Sequence, residues 1–147
     1  MKKIYPHTFL YILAFIFILC SCQSIKKSYE SRNYDSVIQQ FTQKKKVSDE
    51  EISMFIKAYQ AALDRDKEKI MALKKINNGD RWEQIFDLYS QINDRQNAVM
   101  RVLPVFYSNG TTANVEVFDL NAALEESRQN SAQAYYDQGV RLLNSGV

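Results

Sequence analysis

The sequence predicts a mainly α-helical fold, made of antiparallel helical hairpins with one short β-hairpin near residues 105–118. Apolar residues recur at intervals of three and four along most of the chain, which is the spacing of one face of an α-helix. Only four glycines and two prolines are present, so few residues interrupt helices. A single stretch instead has the β-branched and aromatic pattern of strands around an Asn-Gly turn.

The first long helix is predicted to begin within the run from Val47 to Ile52. This run matches a capping box, in which Ser48 accepts a hydrogen bond from the amide of Glu51 and Glu51 reaches back to the amide of Ser48. An apolar stripe follows at helical spacing, is interrupted at Asp64-Arg65-Asp66, and resumes at Ile70, Leu73 and Ile76. The stretch is either one long helix or a helical hairpin. The charged interruption favours a hairpin that turns near Asp64, with Asp66 capping its second helix.

A second long helix is predicted after Asn77-Asn78-Gly79, because glycine tolerates the left-handed backbone that often ends a helix. Asp80 is expected to cap this helix, and Pro104 to end it. Its buried side is predicted to contain Trp82, Ile85, Phe86, Tyr89, Ile92, Val99 and Leu103. A final helix is predicted from about Asp119 or Asn121 to about Asn144.

Between these two helices, the segments Val105–Ser108 and Ala113–Phe118 read as short strands. Asn109-Gly110 lies between them and is the dipeptide best suited to a type I′ turn, in which both central residues have positive φ. The sequence therefore predicts a β-hairpin here.

The first residues have the features of a secretory leader. Lys2 and Lys3 precede an uncharged apolar run from Phe9 to Cys20, which is shorter than the about 20 residues that a membrane-spanning helix needs. The run closes on Leu19-Cys20-Ser21-Cys22, which resembles the lipobox of bacterial lipoproteins. An ordinary secretory signal and a short uncleaved anchor are the alternatives.

The lipobox resemblance implies that lipoprotein signal peptidase recognises Leu19, Cys20 and Ser21, cleaves after Ser21, and leaves lipid on Cys22. Two or more acyl chains hold a protein stably on a membrane. Gln23 follows the cysteine, with no aspartate in the next few positions. By resemblance to known sorting rules, this favours the outer membrane. The absence of an acidic run after the cysteine favours its periplasmic face over the cell surface.

Composition argues against nucleic-acid binding and against several kinds of catalyst. Two of the 19 basic residues lie in the leader, which leaves 17 to balance the 17 acidic residues of the mature chain. Nucleic-acid binding depends on an excess of clustered Lys and Arg, so it is not expected. The single histidine, His7, and Cys20 leave with the leader, and Cys22 carries lipid. No catalytic triad, metal site or cofactor is therefore expected.

Several short motifs resemble tetratricopeptide repeats. Tyr34-x2-Val37-Ile38-x2-Phe41 recurs in type as Trp82-x2-Ile85-Phe86-x2-Tyr89, and a weaker echo begins at Lys67, 33 residues after the first. The run from Tyr29 to Tyr34 is similar to the link between the two helices of such a repeat. Tyr135-x3-Gly139-x2-Leu142 resembles the first helix of a repeat, in which glycine lets the paired helix approach.

Together with the lipobox, these motifs resemble a family of uncharacterised Bacteroidota lipoproteins with a tetratricopeptide-like helical region. The chain is therefore expected to divide into a leader at 1–21, a helical repeat-like domain at 22–103, the β-hairpin at 104–119 and a C-terminal helix at 120–147. It also implies that this last helix begins a further repeat in a truncated chain. The family supplies no activity.

The leading hypothesis is a lipid-anchored, non-enzymatic interaction or scaffold module with a protein or peptide partner, because stacked helix pairs form surfaces suited to such partners. Tyr107, Arg95 and Gln96 are candidate recognition residues. An alternative is the N-terminal fragment of a glycan-capture lipoprotein. A further alternative is an envelope hydrolase that uses paired carboxylates, for which the nearest pairs are Asp64 with Asp66 and Glu125 with Glu126.

Overall fold

The computed structural model describes residues 24–76 and 80–146 of the chain. The lipobox Leu19–Cys22 and the helix stop predicted at Asn77–Gly79 lie outside the described residues. Within the described ranges the protein is mainly helical, as predicted, and contains no β-sheet. No helix in these ranges is both long enough and apolar enough to cross a membrane. The helices are α1 (Ile25–Glu30), α2 (Tyr34–Gln43), α3 (Asp49–Lys75), α4 (Arg81–Met100) and α5 (Asn121–Asn144).

The start of α3 confirms the predicted capping box. Ser48 Oγ accepts from the amide of Glu51 at 3.3 Å, and Glu51 Oε2 accepts from the amide of Ser48 at 3.0 Å. Asp80 is the N-terminal capping residue of α4, as predicted, but its side chain makes no hydrogen bond to the first turn.

The helical hairpin predicted at Asp64 is wrong, because α3 is one helix of 27 residues. Asp66 does not cap a second helix. It lies in the helix interior and is fully buried, whereas Asp64 on another face is exposed and accepts a hydrogen bond from Gln60 at 2.9 Å. The charged run does not break the helix, because Asp64 is exposed to solvent and Asp66 is paired with arginine side chains.

The core forms two clusters along α3. The first lies between α1, α2 and the first half of α3, where the rings of Phe41 and Phe55 stack with their centroids 4.0 Å apart. Val99, at the end of α4, also belongs to it. The second lies between the last half of α3 and the first half of α4, and contains Leu63, Ile70, Ile85, Leu88 and Ile92. Because α3 contributes residues to both clusters, it connects the two parts of the core.

The β-hairpin predicted at 105–118 is not present. The segment has one isolated antiparallel bridge, between Phe106 and Thr112, and the chain reverses through Asn109 and Gly110. Gly110 has a φ of 82°, but Asn109 does not have the positive φ that a type I′ turn requires. Asn109 instead accepts hydrogen bonds from the amide and hydroxyl of Thr111. An isolated pair of short strands is only marginally stable in water. The packing of this segment against the helices therefore determines the course of its backbone.

Gln96 on α4 holds the end of this segment in place. Its Nε2 donates to the carbonyl of Phe118 at 2.7 Å, and its Oε1 accepts from the amide of Phe118 at 2.8 Å. The side chain is buried, so both hydrogen bonds are shielded from water. This amide pair brings the chain from the end of α4 back along that helix to the start of α5.

Helix α5 has the predicted extent and runs antiparallel to α4. Asn121 and Leu124 lie beside Asn93 and Asp94. Further along α5, the hydroxyl of Tyr135 donates to Glu83, close to the first residue of α4. The remaining turns of α5 extend beyond α4, and every residue from 135 to 146 is exposed.

We expect Gln96→Glu to destabilise the protein by about 1–3 kcal/mol, because it turns a buried donor into an oxygen that faces the Phe118 carbonyl. Urea unfolding measures the loss, and the Phe118 amide should exchange faster with deuterium. Gln91→Glu, at an exposed position of the same helix, is the control and should change stability by less than about 0.5 kcal/mol. Equal stability of the two variants would contradict the role assigned to Gln96.

Candidate interaction surfaces

A partly buried cluster of two carboxylates and two guanidinium groups joins α2, α3 and α4, with Asp66 and Arg95 enclosed and Asp35 and Arg65 at its solvent side. Asp66 on α3 accepts from Arg65 Nε and from Arg95 Nη2, each at 2.8 Å. Asp35, in the first turn of α2, accepts from Arg95 Nε at 2.8 Å and from Arg65 Nη2 at 3.1 Å. The side chain of Arg95 is only 8% exposed. Three helices therefore meet at this ion cluster.

The surroundings of Asp66 keep its carboxyl group ionised. Burial alone would raise the pKa of Asp66, but the hydrogen bonds and charges of Arg65 and Arg95 outweigh it and hold the pKa below its ordinary value. Hydrogen bonding to Asp66 in turn raises the pKa of Arg65. An enclosed carboxylate that stays ionised at neutral pH cannot act as a general acid there. The cluster is thus suited to hold helices together rather than to transfer protons.

The carboxylate pairs considered from the sequence do not converge on a cleft. Asp66 is bonded to Arg95 within the ion cluster, whereas Asp64 is exposed to solvent. Glu125 and Glu126 are both exposed, and Glu125 binds Arg128 and Gln129 on its own helix. Within residues 24–76 and 80–146, no group of three His, Cys, Asp or Glu side chains could hold a metal ion.

Two of the three candidate recognition residues are wrong. Arg95 belongs to the buried ion cluster, and Gln96 is enclosed against the backbone of Phe118. Tyr107 is half-buried and packs against the first core cluster. Arg95 and Gln96 therefore use their polar groups within the fold, whereas Tyr107 is held there by packing.

A shallow groove of about 360 Å³ lies between α2 and α4. Ile38 and Ala98 contribute its apolar lining, and Arg101 lies near one end. Asp35 and Arg95 line the other end, but their charged groups already pair with each other. Gln39 and Gln43 also line the groove, and Arg95 Nη1 is buried without a hydrogen-bond partner among the described residues.

The exposed end of α5 carries large apolar side chains that the core of the described chain does not bury. Tyr135 is 52% exposed, Tyr136 68%, Leu142 53% and Leu143 81%. Nothing lies within 4 Å of where a Cβ atom on Gly139 would be, so no paired helix approaches this glycine. The sequence had indicated this surface through Tyr135, Gly139 and Leu142, the motif that resembles a repeat helix.

Comparison with known proteins adds no family. No family model, curated protein or solved structure matches this chain. The contacts of its own residues therefore carry the functional argument.

The ion cluster is the feature that sequence reasoning missed, although a signal was present. Tyr59, Ala62, Leu63 and Ile70 line one face of α3, and Asp66 lies on that same face. An acid within an apolar stripe requires a buried cationic partner, because an unpaired charge in a core is very costly.

We expect Asp66→Asn to destabilise the protein by about 3 kcal/mol or more, because it leaves the Arg95 guanidinium buried without its main counter-ion. Urea unfolding of the mature chain gives the loss in free energy of unfolding. The matched control is Asp64→Asn, an exposed position two residues away, which should cost less than about 0.5 kcal/mol. Similar losses in the two variants would show that the buried pair does not hold the helices together.

The same pair predicts an acid-labile component of stability. The folded pKa of Asp66 lies below its unfolded value, so its contribution is fully present above about pH 4 and is lost as the pH falls through the folded pKa. The measurement is the difference in unfolding free energy between the unsubstituted protein and Asp66→Asn from pH 7 to pH 3. This difference should shrink in acid. Asp49 and Glu51, whose pKa values are also lowered, contribute equally to both proteins and cancel. A difference independent of pH would contradict the prediction.

Proposed function

We propose that this protein is a lipid-anchored protein of the cell envelope whose helical body is a non-enzymatic interaction module. The anchor is the lipid on Cys22 implied by the lipobox Leu19–Cys22, and the outer membrane, periplasmic face, is the proposed location. The partner is a protein or peptide.

The single observation that carries the interaction role is the exposed aromatic and aliphatic face at the end of α5. Soluble proteins seldom expose a contiguous apolar patch without a partner for it. Tyrosine is enriched at protein interfaces because its ring supplies apolar area and its hydroxyl remains hydrogen-bonded. Tyr135 already shows this dual character, since its hydroxyl donates to Glu83 while its side chain remains half exposed.

The fold separates this face from Lys26, near the start of the described chain. Lys26 pairs with Glu50 in the first turn of α3 at 3.8 Å. At the other end of α3, Leu73 lies beside Gln84 on α4, next to the residue that binds Tyr135. A helix rises 1.5 Å per residue, so these two ends of α3 lie about 35 Å apart. The body would thus hold the α5 face away from the anchored end.

The carboxylate-hydrolase alternative has less support. The acids it would use are Asp66, which is enclosed in the ion cluster, and Asp64, Glu125 and Glu126, which lie exposed on helix surfaces.

The tetratricopeptide-like organisation is part of the proposal. It is supported by the short connection between α1 and α2, where Tyr29 and Tyr34 pack together with ring centroids 6.2 Å apart.

Site-directed photocrosslinking in intact cells tests this function. With p-benzoylphenylalanine in place of Tyr136 of the full-length chain, we expect a covalent adduct to a protein that mass spectrometry can identify. The matched control places the same amino acid at Arg141, which is also exposed but lies on the opposite side of the helix. Equal labelling from both positions, or none from position 136, would contradict the interaction role.

The anchor is tested in the same cells with Cys22→Ser. The unsubstituted protein should fractionate with membranes and have the mass of a lipidated chain that begins at Cys22. The variant should lose the lipid and leave the membrane fraction. An unlipidated, water-soluble native protein would contradict the proposed anchor. The interaction role would then depend only on the crosslinking result.

A further inference from the structure

Two ion pairs bring the start of α1 and the loop between α2 and α3 to the same turn of α3. Lys26 Nζ lies 3.8 Å from a carboxylate oxygen of Glu50, and Lys44 Nζ lies 2.5 Å from one of Glu51. Both acids belong to the first turn of α3. The starts of α1 and α3 and the loop at 44–47 therefore form one end of the body, which we call the basic end.

The proposed anchor would lie at this basic end. Cys22 is three residues before Ile25, where α1 begins. Three residues span at most about 10 Å, which is close to the Debye length of about 8 Å in physiological salt. Lipid on Cys22 would therefore hold the basic end within electrostatic range of the lipid headgroups.

Lysines outnumber acids at the basic end. Lys27, Lys45 and Lys46 are exposed, and no carboxylate lies within ion-pair distance of them among the described residues. The third acid in the first turn of α3, Asp49, accepts from the amide and the hydroxyl of Ser108 at 2.8 and 2.5 Å. Each acid of this turn thus already has a partner, whereas these three lysines have no acidic one.

An exposed aromatic ring lies at the same end. The hydrogen bonds from Ser108 to Asp49 hold the chain reversal at 106–112 against the first turn of α3. Phe106, two residues from Ser108, is 56% exposed. The reversal contains no charged residue, so nothing within it offsets the charge of the lysines. The basic end thus combines unpaired ammonium groups with an apolar ring.

This combination suits an anionic lipid surface. Each lysine near such a surface strengthens binding roughly fivefold through attraction to the headgroup phosphates. Aromatic side chains favour the layer between headgroups and acyl chains, where the ring leaves water without entering the hydrocarbon core. A soluble acidic protein would match the lysines alone, whereas a lipid surface matches the lysines, the ring and the neighbouring position of the proposed anchor.

We propose that the basic end rests on an anionic phospholipid surface, with Lys27, Lys45 and Lys46 against the phosphates and the ring of Phe106 in the interfacial layer. The inference rests on the anchor of the proposed function and adds a second contact with the same membrane. A single tether leaves the body free to tilt. Lysines on both α1 and the loop before α3 would fix which end of the body faces the lipid.

Sedimentation with vesicles tests the lipid contact without help from the anchor. The chain from residue 22 onward contains every described residue, and Cys22→Ser removes the proposed lipidation site. At millimolar lipid and low salt, we expect this protein to bind vesicles of phosphatidylcholine with phosphatidylglycerol and not vesicles of phosphatidylcholine alone. Added salt should weaken the binding, because it screens exposed charges.

Paired lysine variants of this protein locate the contact. Lys45→Gln with Lys46→Gln should bind roughly thirtyfold more weakly, which is the loss expected for two lysines at an anionic surface. The matched control, Lys74→Gln with Lys75→Gln, removes the same charge from two exposed lysines at the opposite end of α3 and should bind as before. Equal losses in the two double variants, or equal binding to both kinds of vesicle, would overturn the proposal.

Fluorescence tests the aromatic contact in the lipidated protein. Phe106→Trp, reconstituted in vesicles that contain phosphatidylglycerol with brominated acyl chains, should lose emission relative to the same vesicles without bromine. The unsubstituted protein is the control, because its only tryptophan, Trp82, packs on the second core cluster near the other end of α3. Its emission should not change. Quenching of both proteins, or of neither, would contradict the position assigned to Phe106.

The outcomes separate this inference from the proposed function. If the native protein is lipidated and crosslinks through position 136, but the lipid-free chain binds neither kind of vesicle, the lipid-surface inference fails and the proposed function stands. If the native protein is unlipidated and the lipid-free chain still binds phosphatidylglycerol, the anchor fails and the lipid surface stands. Capture of a protein by p-benzoylphenylalanine in place of Lys46 in intact cells would overturn the assignment to lipid.

Discussion

The buried pair of Asp66 and Arg95 is the constraint on which the arrangement of α2, α3 and α4 depends. Two charges removed from water stabilise a fold only when each finds close, well-oriented partners. Asp66 has two guanidinium partners, and Arg95 has both Asp66 and Asp35. Hydrogen bonds between charged groups are directional, so this cluster has one good geometry. It therefore fixes how α4 lies against α3 and where α2 begins.

Local features of the chain could be predicted, and long-range partners could not. The capping box at Ser48 and the extent of α5 follow from residues close in sequence, so both predictions succeeded. The predicted break at Asp64–Asp66 failed because the partner of Asp66 is Arg95, 29 residues further along. The β-hairpin failed for a similar reason, since Gln96 binds Phe118 and directs the segment along α4. Polarity alone made Arg95 and Gln96 resemble surface residues.

The exposed apolar face of α5 was easier to anticipate, because its signal is also local. Tyr135, Gly139 and Leu142 showed an apolar helix face at the sequence level, and the structure leaves that face exposed. What the sequence could not reveal is that α5 packs on α4 through its opposite, small-residue side. In the proposed function, one side of the helix would serve the fold and the other a partner. With the proposed anchor at Cys22, helix α3 would hold the α5 face away from the membrane.

Native-state hydrogen exchange most directly tests the claim that the ion cluster makes α2, α3 and α4 one cooperative unit. Amides of Val37 and Phe41 on α2, of Ile70 on α3 and of Ile92 on α4 are all buried and can be compared. The account predicts that, as denaturant rises, their opening free energies converge on the global value together. Opening of α2 at a much lower free energy, independently of α3 and α4, would contradict it.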